Sequence, residues 1–276
     1  MAFEIPSTAL SQISDQSRRC IERLQKHQAE TVDLSDRPNS KLAAVLVLLY
    51  EKSGELRVLL TTRSKSLRSH PGQTALPGGK VDDTDEGVVE TAYREAFEEV
   101  GLPLQSPQMH TICVLRPFIS SAKLLVTPVV SLLTNLSLLD NLKRSESEVD
   151  RIFDHPLEAI LDPSIVAKEP LVEKGSEDWP YDTELYHPTD IQLPWLANST
   201  YRMHRFRSTA SPIKGLTAEI LIMTATIAHN RDPIYQRYAP GQFTMFNDVL
   251  RVLDSEQHSN SSSRLGTPVG IATGVV

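Results

Sequence analysis

The amino-acid sequence predicts an α/β domain in which a mixed β-sheet lies between helices. An apolar run typical of a buried strand, residues 42–50, is followed by a polar turn and a second strand over residues 56–62, which together predict a β-hairpin. An amphipathic helix follows. Further strands over residues 109–119 and 123–133 precede a second helix over residues 213–229. Strands that alternate with helices in this way favour a sheet covered by helices.

Three regions are expected along the chain. Residues 1–40 predict an N-terminal helical extension that either docks on the domain or packs on a second copy to form a homodimer. Residues 41–255 form the domain, and their long acidic segment 163–196 has little periodicity, so one interpretation is a lid over a ligand. Residues 256–276 are rich in Ser, Asn and Gly and predict a disordered tail.

The bulk composition restricts the class of partner. The chain has 276 residues, 40% of them hydrophobic, and a net charge of −7 without a basic block. These values allow a sizeable core and argue against a nucleic-acid polymer, but they fit a small anionic ligand. Two cysteines, Cys20 and Cys113, do not form a disulfide framework, and no stretch has the length of a membrane span. We therefore expect an intracellular protein without a membrane partner, most simply cytoplasmic. No C-terminal Ser-Lys-Leu type of peroxisomal signal is seen.

The first amphipathic helix follows a glycine-rich loop and an acidic turn. Asp83, Thr84 and Asp85 offer oxygens that can cap its N-terminus. Gly101, followed by Leu and Pro, predicts its end. Apolar residues recur at helical spacing on the face expected in the core: Val89, Ala92, Ala96 and Val100.

The opposite face of this helix carries three carboxylates. Glu95, Glu98 and Glu99 stand at i, i+3 and i+4, so they share one side of one turn. Their mutual repulsion costs about 1 kcal/mol, and a divalent cation would reverse that cost. Carboxylate oxygens suit Mg²⁺ or Mn²⁺. The alternative is a solvated acidic face.

The spacing of this segment resembles the Nudix box, Gly-x5-Glu-x7-Arg-Glu-U-x-Glu-Glu-x-Gly-U, in which U is apolar. Residues 94–102 match it, with Arg94 at the start. Upstream, the chain contains one inserted residue. Asp85 has the expected distance from Gly79, whereas Glu86 has the expected distance from Arg94, and both remain candidates for the first acid.

A second motif precedes this box. Its residues are Leu59-Leu60-Thr61-Thr62-Arg63-Ser64, Arg68, Gly72 and Leu76-Pro77-Gly78-Gly79. They resemble the motif of the coenzyme A diphosphatase subfamily of Nudix hydrolases at every fixed position except Leu76, which stands in place of Phe. Lys214 stands where the subfamily usually has Trp. Arg63 and Arg68 are candidate cations for substrate phosphates, and Gly78 and Gly79 allow a ligand to approach the backbone. Taken alone, Arg63 could be a surface or ion-paired residue.

The resemblance implies a Nudix α/β/α sandwich with a loop–helix–loop catalytic motif over roughly residues 40–230. It also implies a hydrolase that cleaves the diphosphate of coenzyme A and its derivatives with Mg²⁺ or Mn²⁺, yielding 3′,5′-ADP and (acyl-)phosphopantetheine. Glu95, Glu98 and Glu99 would bind the metal, with Glu95 and Glu99 foremost, and Glu95 or Glu98 would act as general base. Arg94 would form ion pairs that hold the carboxylates and the loop.

Two other functions fit the same box. One is a pyrophosphatase of nucleoside diphosphate derivatives or oxidised nucleotides such as 8-oxo-dGTP. The other is a catalytically silent Nudix-like binding protein, against which the intact glutamates argue. Glu148 is either a metal contact or base, or an exposed acid at a strand end, and the second interpretation is slightly favoured. His204 lies between arginines and is interpreted as a strand residue.

Overall fold

The computed structural model describes residues 3–30, 32–34 and 36–264, with side chains as far as residue 255. The helices are α1 Ser7–Leu10, α2 Asp15–Lys26, α3 Val88–Val100, α4 Gly215–His229 and α5 Phe246–Arg264. The strands are β1 Leu42–Lys52, β2 Glu55–Arg63, β3 Thr74–Ala75, β4 Gly78–Lys80, β5 Met109–Val114, β6 Phe118–Ile119, β7 Leu125–Leu133, β8 Val149–Pro156, β9 Thr189–Leu193, β10 Ser199–Met203, β11 Arg205–Phe206 and β12 Ile213–Lys214. No helix in these ranges combines the length and apolarity that crossing a bilayer requires.

The first eight strands form one mixed sheet around β1. β1 runs parallel to β7 on one side and antiparallel to β2 and β4 on the other. β2 also pairs with β3 and β8, and β7 pairs with β5 and β6. The predicted hairpin of β1 and β2 is confirmed. The predicted strand 109–119 is divided at residues 115–117, where Pro117 has no backbone N–H to donate.

Alternate residues of β1 enter two separate cores. Val47 and Leu49 belong to a cluster that includes residues of α2 and α4, whereas Leu46 and Leu48 belong to a cluster that includes residues of α3. Successive strand side chains point to opposite faces, so the sheet is buried on both. The predicted α/β/α arrangement is therefore confirmed, with α3 on one face and α2 and α4 on the other.

Helix α2 packs on the domain. Its residues Cys20, Ile21 and Leu24 are at most 2% exposed and join the same core cluster as α4. The Nη1 atom of Arg23 donates to the carbonyl of Ala228 at 2.9 Å. Of the two alternatives for the N-terminal helix, the structure shows docking on the domain, and Cys20 lies in the core, as Cys113 does.

The described chain divides into two compact units. The larger contains residues 1–189 and 203–237 and holds the sheet, whereas the smaller contains residues 190–202 together with the chain from 238 onward. Within the smaller unit, α5 continues past residue 256, where the sequence predicts the tail to begin, because neither Gly nor Pro interrupts it before Gly266. Residues 265–276 of the predicted tail lie outside the described residues.

Within the larger unit, the first half of the segment 163–196 is ordered around a buried tryptophan. Trp179 is 0% exposed, and its Nε1 atom donates to the carbonyl of Thr183 at 2.7 Å. The backbone N–H of Val172 donates to the carbonyl of Ser208 at 3.0 Å. The lid function of this segment stays a prediction.

Candidate active site

Helix α3 begins later than the sequence predicts. Its first residue is Val88, and Gly87 at the N-cap has no side chain to cap it. The prediction that Asp83, Thr84 and Asp85 cap this helix is therefore wrong. At the other end, Gly101 adopts a left-handed conformation with φ 71°, which confirms the predicted stop.

Asp85, rather than Glu86, is the first acid of the motif. Arg94 donates to both carboxylate oxygens of Asp85, from Nε and Nη2, at 2.9 Å each, and Thr91 Oγ1 donates to the same carboxylate at 2.8 Å. The Asp85 side chain is 2% exposed, and the Arg94 guanidinium holds the pKa of Asp85 well below its usual range. Glu86 is exposed. With the inserted residue, Asp85 contacts Arg94 and Glu86 faces solvent.

Arg94 fastens the loop before α3 to the helix. Beyond its two bonds to Asp85, its Nη2 atom donates to the carbonyl of Lys80 at 3.1 Å, and its Nη1 atom donates to Glu95 at 3.0 Å and Glu98 at 3.2 Å. The ion pairs that the sequence predicts for Arg94 are therefore present. Its participation in catalysis stays a prediction.

The Glu95 carboxylate lies against the backbone of Gly79. A Cβ atom added at Gly79 would stand 2.4 Å from Glu95 Cδ, a distance that no side chain tolerates, so only glycine permits this contact. Burial raises the pKa of Glu95 above its ordinary value. The glycine-rich strand β4 thus forms one wall of a carboxylate site.

Glu99 is the most deeply buried acid of the helix. It is 6% exposed, and burial raises its pKa to about 8. The Arg63 charge and a hydrogen bond from the backbone N–H of Gly78 oppose this rise, whereas the charges of Glu95 and Glu148 add to it. Two neighbouring acids with raised pKa values are the arrangement that a divalent cation would stabilise in the ionised form.

The third predicted metal ligand, Glu98, lies at the rim. Its side chain is 50% exposed and accepts from Arg94. Where side chains are described, no three acidic, histidine or cysteine groups already surround one point as metal ligands. The oxygen donors of Glu95 and Glu99 nevertheless fit Mg²⁺ or Mn²⁺ chemically, since burial disfavours their ionised form and a bound cation would offset that cost.

Glu148 is an exposed acid directly before β8, as the favoured interpretation of the sequence has it. The register pairs Arg63 at the end of β2 with Val149 at the start of β8, and the backbone N–H of Ser64 donates to the Glu148 carbonyl at 2.8 Å. Glu148 is exposed, yet its charge raises the pKa values of both Glu95 and Glu99. The signal in the sequence is an acid directly before a strand that pairs with the Arg63 strand.

Two residues considered from the sequence do not join this group. Arg68 is exposed, and within the described ranges its side chain makes no hydrogen bond or ion pair. His204 is fully buried and lies 2.8 Å from both the Tyr186 hydroxyl and the Arg237 carbonyl. These contacts support its interpretation as a structural residue, whereas substrate binding by Arg68 stays a prediction.

Substitutions of the two glycines of β4 are expected to have different effects, a loss of stability at Gly78 and a loss of turnover at Gly79. Alanine at Gly78 would place Cβ 2.3 Å from the Ala44 carbonyl oxygen and 2.6 Å from Val45 Cα, so Gly78→Ala is expected to destabilise the fold by about 3 kcal/mol. Alanine at Gly79 meets only the end of the Glu95 side chain, so Gly79→Ala is expected to fold but to lose about 100-fold in kcat. Urea denaturation and turnover measurements check both, and a Gly79→Ala protein with wild-type kcat would contradict the role of Glu95.

Comparisons with known proteins agree with this geometry. The NUDIX domain family model matches residues 40–169. Nudix hydrolase 22, chloroplastic, of Arabidopsis thaliana is 35% identical over 216 residues, which are 77% of this chain and 64% of the relative. Nudix hydrolase 3 of Caenorhabditis elegans is 32% identical over 170 residues, 61% of this chain and 67% of the relative. The peroxisomal coenzyme A diphosphatase of Mus musculus is 29% identical over 199 residues, 72% of this chain and 75% of the relative.

The chain belongs to the Nudix hydrolase family. The family match covers the sheet, the glycine-rich strand β4 and helix α3, which together form the candidate site. The chain spans just under two thirds of the length of the Arabidopsis relative, at 64%.

Proposed function

We propose that this chain is a divalent-metal-dependent diphosphatase that hydrolyses coenzyme A and its derivatives to 3′,5′-ADP and (acyl-)phosphopantetheine. The observation that carries the proposal is the pair of carboxylates packed against the Gly78-Gly79 backbone, the buried Glu99 and the partly buried Glu95. Burial disfavours the ionised form of both carboxylates, and a bound cation would offset that cost. A diphosphate is strongly anionic and needs such a cation to accept an attacking water.

Glu95 and Glu99 are the residues that would hold the cation, and Glu98 is the third ligand of the prediction. When bound, the cation would neutralise the diphosphate and lower the pKa of a water molecule. Arg94 keeps Glu95 in place by its hydrogen bond and keeps the loop in place through Asp85. Arg63, whose charge acts on Glu99, would offset negative charge on the departing phosphate.

A carboxylate would take the proton of the attacking water. Glu95 and Glu98 are the bases that the sequence favours, and the position of Glu148 adds a third candidate. Glu148 is exposed, and its charge acts on Glu95 and Glu99. Its carboxylate would accept a proton from a water molecule that lies close to those two residues.

The choice of coenzyme A is supported by two observations. The motif that ends at Gly79 contributes Arg63 and the wall of the carboxylate site. The relative from Mus musculus is named a coenzyme A diphosphatase, although at 29% identity. A homodimer stays a prediction. A cytoplasmic location does too, since relatives carry chloroplast and peroxisome names.

A substrate comparison tests the proposal. We expect kcat/KM for coenzyme A or acetyl-CoA to exceed that for oxidised dGTP, ADP-ribose and Ap4A, with 3′,5′-ADP as product. Arg63→Gln is expected to lower kcat/KM for coenzyme A about 10- to 100-fold, because one charge-assisted contact is lost. Arg18→Gln, a change of the same charge on α2, is the control and should leave kcat/KM unaltered.

The other outcomes of this comparison decide between the remaining functions. A higher kcat/KM for a nucleotide than for coenzyme A would contradict the substrate assignment and favour the nucleotide pyrophosphatase. Absence of turnover for every substrate with both Mg²⁺ and Mn²⁺ would favour a catalytically silent binding protein.

A further inference from the structure

A pair of like charges lies on the ribbon formed by β11 and β12. In its antiparallel register, Arg205 stands directly opposite Lys214. Like charges in that position repel each other and destabilise the pairing. A negative charge between the two side chains would relieve that repulsion.

That compensation is absent from the described part of the chain. The half-buried Lys214 side chain makes no hydrogen bond or ion pair there. Arg205 donates only to neutral oxygens, the Thr189 hydroxyl and the Met203 carbonyl. Burial lowers the pKa of Lys214, and the Arg205 charge lowers it further by a smaller amount. No acid in the described chain raises it. The two cations are therefore left without an anionic partner.

Aromatic side chains hold the guanidinium in place. Arg205 lies over the Tyr181 ring at 5.4 Å from its centroid, and Tyr181 stacks on His187 at 4.2 Å with an angle of 15° between the rings. Burial is the main cause that lowers the pKa of His187. The Arg205 charge lowers this pKa further, and the Asp182 charge raises it. A guanidinium fixed in this way keeps the planar arrangement of donors that suits a phosphate.

Lys214 stands beside the point where α4 contacts β3. One helical turn after it, Thr217 Oγ1 donates to the carbonyl of Thr74 in β3 at 3.2 Å. Thr74 precedes Gly78 by four residues, and a fully extended chain of that length spans at most about 14 Å. A substrate whose diphosphate lies near Gly78 can therefore extend a second charged group toward β12.

We propose that Arg205 and Lys214 form a subsite for a phosphomonoester on the ribose of the substrate. Two cations match the double charge of such a group, and Arg205 can bind it through two parallel hydrogen bonds. The substrate class that this subsite selects is a nucleoside diphosphate derivative with an additional phosphate on its ribose. The inference rests on the proposed function, since it assigns a further part of the same substrate.

Binding of two products tests the subsite without requiring turnover. 3′,5′-ADP and 5′-AMP differ only in the ribose phosphate, and calorimetry on the full chain measures both. We expect the wild-type protein to bind 3′,5′-ADP at least about tenfold more tightly than 5′-AMP, because charge-assisted hydrogen bonds are lost with 5′-AMP. Lys214→Gln and Lys214→Met should reduce this ratio to about two, and Lys214→Arg should retain most of it.

A matched control uses Lys168, an exposed lysine at the end of a short helical turn in the same unit. Lys168→Gln removes the same charge and should keep the wild-type ratio. Equal binding of the two nucleotides by the wild-type protein, or a wild-type ratio in the folded Lys214 variants, would overturn the subsite.

Turnover separates this inference from the function on which it rests. Hydrolysis of coenzyme A and dephospho-coenzyme A with equal kcat/KM, unchanged in Lys214→Gln, would leave the diphosphatase intact and remove the subsite. Lys214-dependent binding of 3′,5′-ADP without hydrolysis of any diphosphate would support the subsite and refute the proposed function.

Discussion

Glu99→Gln is expected to lower kcat by at least about 100-fold, because it removes a charged oxygen from the proposed metal site while keeping the shape of the side chain. The buried environment of Glu99 explains why a small change has this effect. The carboxylate is 6% exposed, and its pKa is raised to about 8, so only a bound cation keeps it ionised at neutral pH. Glutamine has no ionised form with which to hold that cation.

The same substitution is expected to stabilise the metal-free protein. The folded-state pKa of Glu99, about 8, is above its ordinary value of 4.5, so stability is fully present below pH 4.5 and is lost as pH rises toward 8. At pH 7 the ionisation of Glu99 in the unfolded state lowers the free energy of unfolding by about 3 kcal/mol. Glu99→Gln, which has no ionisable group, should recover that amount. Mg²⁺ should raise the Tm of the wild-type protein more at pH 8 than at pH 6, and it should not raise the Tm of Glu99→Gln.

Turnover of coenzyme A and thermal unfolding with and without Mg²⁺ measure these effects. Glu90→Gln is the matched control, since Glu90 is an exposed acid in the first turn of the same helix. Its kcat should stay within about twofold of wild type. Wild-type turnover by Glu99→Gln would exclude this carboxylate from the metal site.

Arg94→Met is expected to lower the free energy of unfolding by about 3 kcal/mol. The substitution leaves the Asp85 carboxylate, with a 2% exposed side chain, without the cation that accounts for most of its stabilisation. It also releases Glu95 and the loop at Lys80, so kcat should fall as well. Urea denaturation at pH 7 measures the change in stability.

The pH dependence of this loss has a defined sign. The folded-state pKa of Asp85 is below its ordinary value of 3.8, so its contribution is present above that pH and is lost as pH falls. The difference between wild type and Arg94→Met should therefore shrink in acid. Arg18→Met breaks an exposed ion pair with Asp15 and should cost less than about 1 kcal/mol. A similar loss in both variants would show that the Arg94 network contributes little.

Much of the architecture follows from patterns that are local in sequence. The alternation of apolar residues in β1 predicts a strand buried on both faces, and Gly101 marks the end of α3 where the structure places it. The start of α3 could not be predicted in the same way. Asp85 resembles a cap, but its carboxylate instead accepts two charge-assisted hydrogen bonds from Arg94, nine residues further along the chain.

The candidate site shows the same division. Glu95 and Glu99 stand on one helix, so their spacing alone places them together. Glu148 reaches them only through the pairing of β2 with β8, a contact between segments far apart in sequence. The unequal burial of Glu98 and Glu99 also follows from the helix, because Glu99, three residues after Ala96, borders the apolar face and Glu98 lies nearly opposite it.

The docking of α2 has a consequence for the order of events during synthesis. Arg23 and Ala228, which meet at the contact between α2 and α4, are separated by 205 residues. At 5–20 residues per second, a ribosome needs roughly 10 to 40 s to make the intervening chain. Throughout that interval the apolar side of α2, with Ile21 and Leu24, has no α4 to cover it. The nascent chain therefore carries an incompletely covered apolar segment until α4 leaves the exit tunnel.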